Sequence, residues 1–274
     1  MERYAVAGAA AVVTGTGHAR LGIIGAIREE LAAVLDHMSG AHSERAAGRD
    51  FHVGHWHGQS VVAVLSRIGK VAAASTATAL IERHGVSAIV FTGVAGGLGP
   101  GVNVGDVVVA RDFLQHDLDA SPLFPRHEVP LYGRARFPAD VRLAALLVDA
   151  ATQALADPVR LLGAAAVQTF GLARPAVHQG LVISGDQFIA TRAASAALRT
   201  ALPDALAVEM EGAAIAQVCH DYGIPFAAVR TISDRADDAA HVDFTEFTGQ
   251  VASPYSAAII NALVRTLPPF QTKR

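Results

Sequence analysis

Three stretches of the chain place acidic side chains at the ends of apolar runs. Ala207-Val208-Glu209-Met210-Glu211 carries two carboxylates out of one such run and into a helical pattern. Downstream, the run Ala227–Ile232 encloses Arg230 and ends in Ser233 and Asp234. Near the start, Gly25-Ala26-Ile27-Arg28-Glu29-Glu30 puts Glu30 in the first turn of a predicted helix. Carboxylates at the mouth of a sheet, among apolar neighbours, acquire shifted pKa values, the condition for moving protons near neutral pH. Each has a plainer reading that stays open. Glu29 and Glu30 complement a helix N-terminus, and Arg230 serves as well in a structural ion pair with one glutamate.

A glycine-rich stretch, Phe91-Thr92-Gly93-Val94-Ala95-Gly96-Gly97-Leu98-Gly99-Pro100, follows another apolar run. It either lets backbone N–H groups approach a ligand closely or makes a tight turn. It has neither GxGxxG spacing nor the GK[ST] of a Walker loop. His116-Asp117 reads as a hydrogen-bonded pair or as part of a pocket rim. Among twelve histidines, His55 and His57 share one face of a predicted hairpin and His52 faces away, so surface or core roles are expected and no metal site. The single cysteine, Cys219, excludes an intrachain disulfide and a cysteine-based zinc site, and reads as a small buried hydrophobe.

The elements that must position these groups alternate between strand and helix. Strands are predicted at 21–26, 51–56, 60–65, 88–92, 105–110, 161–167, 177–184, 206–208 and 226–232. Helices are predicted at 28–38, 71–84, 140–156, 191–200, 209–222 and 245–267. Four prolines over His116–Pro138, at 122, 125, 130 and 138, deny that segment regular structure. Such alternation implies a single α/β domain with a central mixed, mostly parallel twisted sheet flanked by helices. Ligands gather at the carboxyl ends of strands in such a sheet, where the three acidic stretches fall.

With a hydrophobic fraction of 51% and a charged fraction of 17%, 274 residues are enough for one sizeable core. The net charge of −3 offers no basic field to nucleic acid or an anionic membrane, and Lys273-Arg274 reads as a solvated tail. No run approaches the roughly 20 apolar residues needed to cross a bilayer. Ala5–Val13 faintly resembles a secretory signal, but Glu2 precedes it and no cleavage site is clear. The expectation is a mobile Ala/Gly-rich extension over 1–20, a catalytic domain over 21–274, and a cytoplasmic protein.

Taken in order, GIIGAIREE (22–30), GKVAAA (69–74), TGVAGGL (92–98), VGDVVV (104–109), QHD (115–117), ISGDQFI (183–189), AVEMEGAAIAQVC (207–219) and AVRTISDRAD (228–237) resemble the purine nucleoside phosphorylase/uridine phosphorylase superfamily. Within it they are most similar to the 5′-methylthioadenosine/S-adenosylhomocysteine nucleosidases. The resemblance implies hydrolysis of an adenine nucleoside by water, with no cofactor, in a homodimer. It casts Asp234 as the acid that protonates adenine at N7, with Ser233 orienting it. Glu30 is cast as the base that activates water, and Glu211 as the carboxylate on the ribose hydroxyls, organised by Arg230. It casts Phe188 as the aromatic stacked on the purine, Ile189 as the backbone that reads its edge, and Met210 as the packing on the sugar. Phe244, Glu209, Ile27, Val94, Ala95 and Gly96 complete the implied pocket.

Three departures stand out. Ile27 occupies a place where many relatives have Met, Val94 one where Ser is frequent, and the Pro-rich stretch 120–131 differs from the loop that lines the 5′ pocket across the family's dimer interface. Two alternatives remain at this point. A phosphorylase on the same fold would want extra arginines near the glycine loop, for which Arg28 and Arg67 are candidates. A non-catalytic nucleoside-binding relative would be expected to have lost acid or base residues.

Overall fold

The computed structural model describes residues 20–236 and 244–267. The expected extension up to residue 19, its apolar run and the Lys273-Arg274 tail lie outside the described residues; Arg20 already pairs in the first strand. In chain order the elements begin β1 (Arg20–Gly25), α1 (Arg28–Leu35), β2 (Ser39–Ala46), β3 (Arg49–Trp56), β4 (Gln59–Leu65), α2 (Lys70–His84), β5 (Val86–Gly97) and β6 (Val107–Gln115). There follow β7 (Arg136–Pro138), α3 (Val141–Ala154), α4 (Pro158–Leu162), α5 (Ala164–Thr169), β8 (Val177–Ser184), α6 (Arg192–Ala201), β9 (Ala205–Glu209), α7 (Gly212–Tyr222), β10 (Phe226–Asp234), α8 (Phe244–Phe247) and α9 (Ser253–Thr266).

The strands form one mixed sheet. β1 lies parallel to both β4 and β5, and β5 parallel to β10; β8 lies parallel to β6 and to β9, whereas β6 meets β10 and β9 meets β5 antiparallel. β2 and β3 extend the β4 side by antiparallel pairing. Because β10 pairs with both β5 and β6, the strands β5, β9, β8, β6 and β10 close into a ring. The twelve-residue β5 makes this possible. Its first half pairs with β1, and its glycine-bearing end pairs with β10 and β9. Glycine within a strand allows the sharp coiling that closure needs.

Helix boundaries follow from local chemistry. Asp140 caps α3 by accepting the Leu143 amide at 2.8 Å. Gly85 and Gly223 end α2 and α7 in the left-handed conformation, with φ of 60° and 64°. The predicted terminal helix is present from Phe244 to Thr266, with a π-turn over Thr248–Ala252 just before Pro254, whose missing N–H cannot close a normal turn.

Two expectations are corrected. The segment 161–167 is not a strand but parts of α4 and α5. Asp157 caps α4 ahead of Pro158, and Gly163 at φ 84° breaks the chain before it turns helical again. The predicted helix 28–38 stops at Leu35, and the exposed polar run Ser39–Ala46 pairs with β3 as an edge strand. Cys219 is buried, and burial pushes its thiol pKa up, as befits an inert core residue. Among the described residues no helix is long and apolar enough to cross a membrane.

Candidate active site

The carboxyl ends of β1, β5, β8, β9 and β10 converge on one cavity that opens to solvent. Every residue predicted for the site lines this cavity except Arg230. β1 leads to Ile27 and Glu30; β5 brings Val94, Ala95 and Gly96; β9 brings Glu209, Met210 and Glu211; and β10 ends in Ser233 and Asp234. Phe188 and Ile189 follow β8, and Phe244 opens α8. Arg230 stands behind the wall, 1% exposed.

Glu30 is completely buried and held by backbone amides from two elements. Its Oε2 accepts from Ala26 at 2.8 Å and Ile27 at 3.2 Å, and its Oε1 from Val94 at 3.1 Å. The first two bonds close the start of α1, so Glu30 serves the helix N-terminus and lines the cavity at once. Desolvation raises its pKa, opposed by the charge of Arg230 and by the three amides. A base whose affinity for protons is raised, fixed in one orientation, suits the activation of water.

Glu211 accepts the Gly69 amide at 2.7 Å and lies 3.9 Å from Arg230. Burial and the neighbouring Glu209 charge push its pKa up to about 7, against the pull of Arg230. Glu209 belongs to the scaffold although its carboxylate borders the cavity. It accepts from Ser184 Oγ, from Arg230 Nη2 at 2.5 Å, and from the amides of Glu211 and Gly212. The Arg230 guanidinium also lies 3.4 Å from the centroid of the Phe91 ring.

At the end of β10, Ser233 Oγ donates to Asp234 Oδ2 at 2.7 Å, and the Ala236 amide donates to Oδ1 at 2.7 Å. Phe188 is 54% exposed, with its ring set edge-on to Phe244 at a centroid distance of 6.4 Å. An apolar face left open to the cavity is ready to stack on a planar base.

Sequence reasoning missed Gly93. A Cβ there would stand 2.7 Å from Glu30 Oε1 and 2.4 Å from Arg230 Nη1, so the carboxylate and the guanidinium lie directly against a bare backbone. The TGVAGGL stretch held that signal, yet only contact across the fold shows which glycine is needed. Ala26, Ile68, Gln187 and Val208 also line the cavity without having been predicted. His116 and Asp117 do not pair with one another as a bonded couple. Asp117 bonds Lys70 and the Asp186 amide, and His116 is buried with Nε2 unpartnered.

Charge decides what such a cavity accepts. Among the described residues its lining holds Glu30, Glu209, Glu211 and Asp234 and no cationic side chain. Arg28 and Arg67, the candidates for a phosphate site, are exposed and outside the lining, and Arg67 donates to the Gly48 carbonyl. A phosphate dianion would meet carboxylates here with little compensation. No group of His, Cys, Asp and Glu among the described residues is arranged to hold a metal.

The description "Phosphorylase superfamily" belongs to a family model that matches residues 20–265. A 5′-methylthioadenosine/S-adenosylhomocysteine nucleosidase of Chromohalobacter salexigens is 37% identical over 249 residues, 90% of this chain and 97% of the relative. Among solved structures, the nucleosidase of that name from Neisseria meningitidis, in complex with methylthio-immucillin-A, superposes with a TM-score of 0.78 at 34% identity, covering 90% of this chain and 99% of its own. The futalosine hydrolase of Helicobacter pylori superposes with a TM-score of 0.78 at 31% identity, covering 91% and 98%.

Proposed function

The chain belongs to the phosphorylase superfamily and, within it, to the 5′-methylthioadenosine/S-adenosylhomocysteine nucleosidases, and from that premise we propose that it hydrolyses the N-glycosidic bond of these adenine nucleosides, releasing free adenine. The observation that supports this most directly is the meeting of Asp234, Glu30 and Glu211 on one cavity whose described lining carries no cation.

The chemistry divides among the three carboxyl groups. Adenine leaves poorly as an anion. Asp234, steadied by Ser233, gives a proton to N7, so that the electron pair of the breaking C1′–N9 bond is taken up by a neutral base. Positive charge then develops on the sugar, and ionised Glu211 on the ribose hydroxyls stabilises it. Water attacks C1′ and loses its proton to Glu30. Phe188 stacks on the purine, the Ile189 backbone reads its edge, and Met210 packs on the sugar. Arg230 acts from behind, keeping Glu209 and Glu211 in place.

Adenine release in phosphate-free buffer tests the reading. Turnover without phosphate is expected; strict phosphate dependence would make the protein a phosphorylase, and binding of adenine without cleavage a storage relative. Rates compared across methylthioadenosine, adenosylhomocysteine, 5′-deoxyadenosine and a futalosine-type nucleoside then rank the 5′ substituents.

The proposal includes a homodimer in the cytoplasm. Ile68 and Phe188 at the cavity, with Val71, Leu123 and Leu131, are large exposed apolar residues of the kind an interface buries. Light scattering on the purified protein checks the dimer, and cell fractionation checks the location.

A further inference from the structure

Three loops that carry no reacting side chain of their own meet in a ring of hydrogen bonds beside the cavity. Lys70, the first residue of α2, donates from Nζ to Asp117 Oδ1 at 2.6 Å and to Gln115 Oε1 at 3.1 Å. Asp117 Oδ2 accepts the Asp186 amide at 2.8 Å, and Asp186 Oδ1 accepts the Lys70 amide at 2.8 Å. Lys70 and Asp186 each contribute backbone and side chain, and Asp117 links them. The ring therefore ties the β4–α2 loop to the segments that follow β6 and β8.

Two of those loops end on groups that grip the nucleoside. Gly69, adjacent to Lys70, supplies the amide that holds Glu211 at 2.7 Å. Gly69 has φ 99°, and a Cβ there would stand 3.2 Å from Asp186 Oδ1, so the ring packs directly against the glycine that serves Glu211. On the other side Asp186 leads straight into Gln187, Phe188 and Ile189 of the purine wall. GKVAAA, QHD and ISGDQFI thus share a physical connection that the three carboxyl groups of the reaction do not explain.

We propose that Lys70, Asp117 and Asp186 are positioning residues for the hydrolysis, fixing the Gly69 amide on Glu211 and the Phe188 wall relative to one another so that ribose and purine are held in register. This rests on the nucleosidase reading above. The side chains of Lys70 and Asp117 are 16% and 25% exposed, and so shallow a pair adds little to global stability. Its consequence is geometric: the ring sets where the Gly69 amide on Glu211 and the Phe188 wall stand relative to one another, and so how tightly the nucleoside is held. Burial works against the Asp117 carboxylate, but the Lys70 hydrogen bond and the Asp186 amide overcome it and hold its pKa below the usual carboxylate value. Asp117 therefore carries its charge at neutral pH.

Asp117→Asn and Lys70→Met, assayed on 5′-methylthioadenosine beside the wild type, test the proposal. Glu211 is faced by Glu209, Arg230, Glu30 and the Gly69 amide, and the amide favours its ionised form. Loosening that amide moves the acid limb of kcat/KM to higher pH, a shift that lost folding alone does not produce. The expected result is a melting temperature near wild type and KM raised roughly tenfold, the order of one lost hydrogen bond to a charged group. Most of the loss falls on KM rather than kcat, and the double variant is no worse than the poorer single one, because the ring breaks only once. If Asp117→Asn fails to fold, Lys70→Met, which leaves the Asp117–Asp186 bond in place, gives the same readout. Unchanged KM and an unmoved acid limb in a folded variant would overturn the proposal. A wild type that releases no adenine would overturn the nucleosidase reading instead.

Discussion

Arg230 donates to Glu209 at 2.5 Å, with side chains only 1% and 3% exposed. Glu209 satisfies the cation and two backbone amides at once, while Arg230 reaches on toward Glu211 at 3.9 Å. The pair thus sets the charge behind the cavity wall. Arg230→Met leaves Glu30, Glu209 and Glu211 crowded without their cation. A buried pair broken from one side costs about 3–5 kcal/mol. Urea melts should register a loss of that order, with activity abolished; a loss under about 1 kcal/mol would mean the glutamates are already neutralised some other way.

Asp234→Asn keeps the shape of the side chain and its contacts with Ser233 and the Ala236 amide, but has no acidic proton to give. Removing general acid catalysis should lower kcat by roughly 10²–10⁴-fold and leave KM within a small factor. Ser233→Ala, which loses one oriented hydrogen bond of 2.7 Å, should cost less. Steady-state adenine release separates the two. An Asp234→Asn enzyme with wild-type kcat would move the acid elsewhere.

Gly93→Ala tests the close approach at the end of β5. The added methyl would sit 2.7 Å from Glu30 Oε1, and both Glu30 and Arg230 are fully enclosed, so neither can swing into solvent. Overpacking of this kind costs roughly 1–3 kcal/mol. Because the displaced group is the proposed base, kcat should fall more than stability alone predicts. A variant that keeps wild-type kcat with only a lowered melting temperature would separate Gly93 from the chemistry.

Much of this arrangement was legible in the sequence. Strand–helix alternation marks an α/β sheet, and polar residues just beyond apolar runs such as Ile23–Ile24 and Val229–Ile232 fall at strand ends, where β1 and β10 reach the cavity. What was not legible depends on contacts between distant segments. The closure of β5 onto β10 and β9 leaves no local periodicity to read. Glu209 and Glu211 look alike in sequence; only the partners of Glu209, from Ser184, Arg230 and two amides, show it to be a brace. The strand expected at 161–167 failed because Leu161-Leu162 and Val167 imitate a buried run, whereas the cap at Asp157 and the break at Gly163 rule locally. Polar Ser39–Ala46 pairs only because the exposed edge of β3 is available to it.

Phe188→Ala removes the open ring face proposed to stack on the purine. Stacking of a base on an aromatic side chain is worth about 1–3 kcal/mol, so adenine binding should weaken by roughly 5–150-fold. Leu at the same position should recover part of the apolar contact without the π face. Calorimetry with adenine alone reads this without interference from the ribose groups. Equal affinity in wild type and Phe188→Ala would place the purine against another wall.

Glu211 makes activity and stability run in opposite directions with pH. Its pKa is about 7 in the folded protein, raised by burial and by Glu209, against an ordinary value of 4.5; that of Glu30 is raised by burial as well. Between the two values the folded state holds protons that the unfolded chain has released, so stability is fully present below 4.5 and is lost as pH rises through about 7. His84, His116 and His127, whose pKa values are lowered by burial, act in the opposite sense up to their ordinary value of 6.5. The clean measurement is therefore the difference between wild type and Glu211→Gln, which share those histidines. Relative to the variant, the wild type should lose stability from pH 5 to pH 7 and then level off. Over the same window its kcat/KM should climb as Glu211 ionises to receive the ribose hydroxyls, and the limb should flatten in Glu211→Gln. A stability difference that grows with pH would mean that the ionised carboxylate, not the protonated one, is what the folded interior favours.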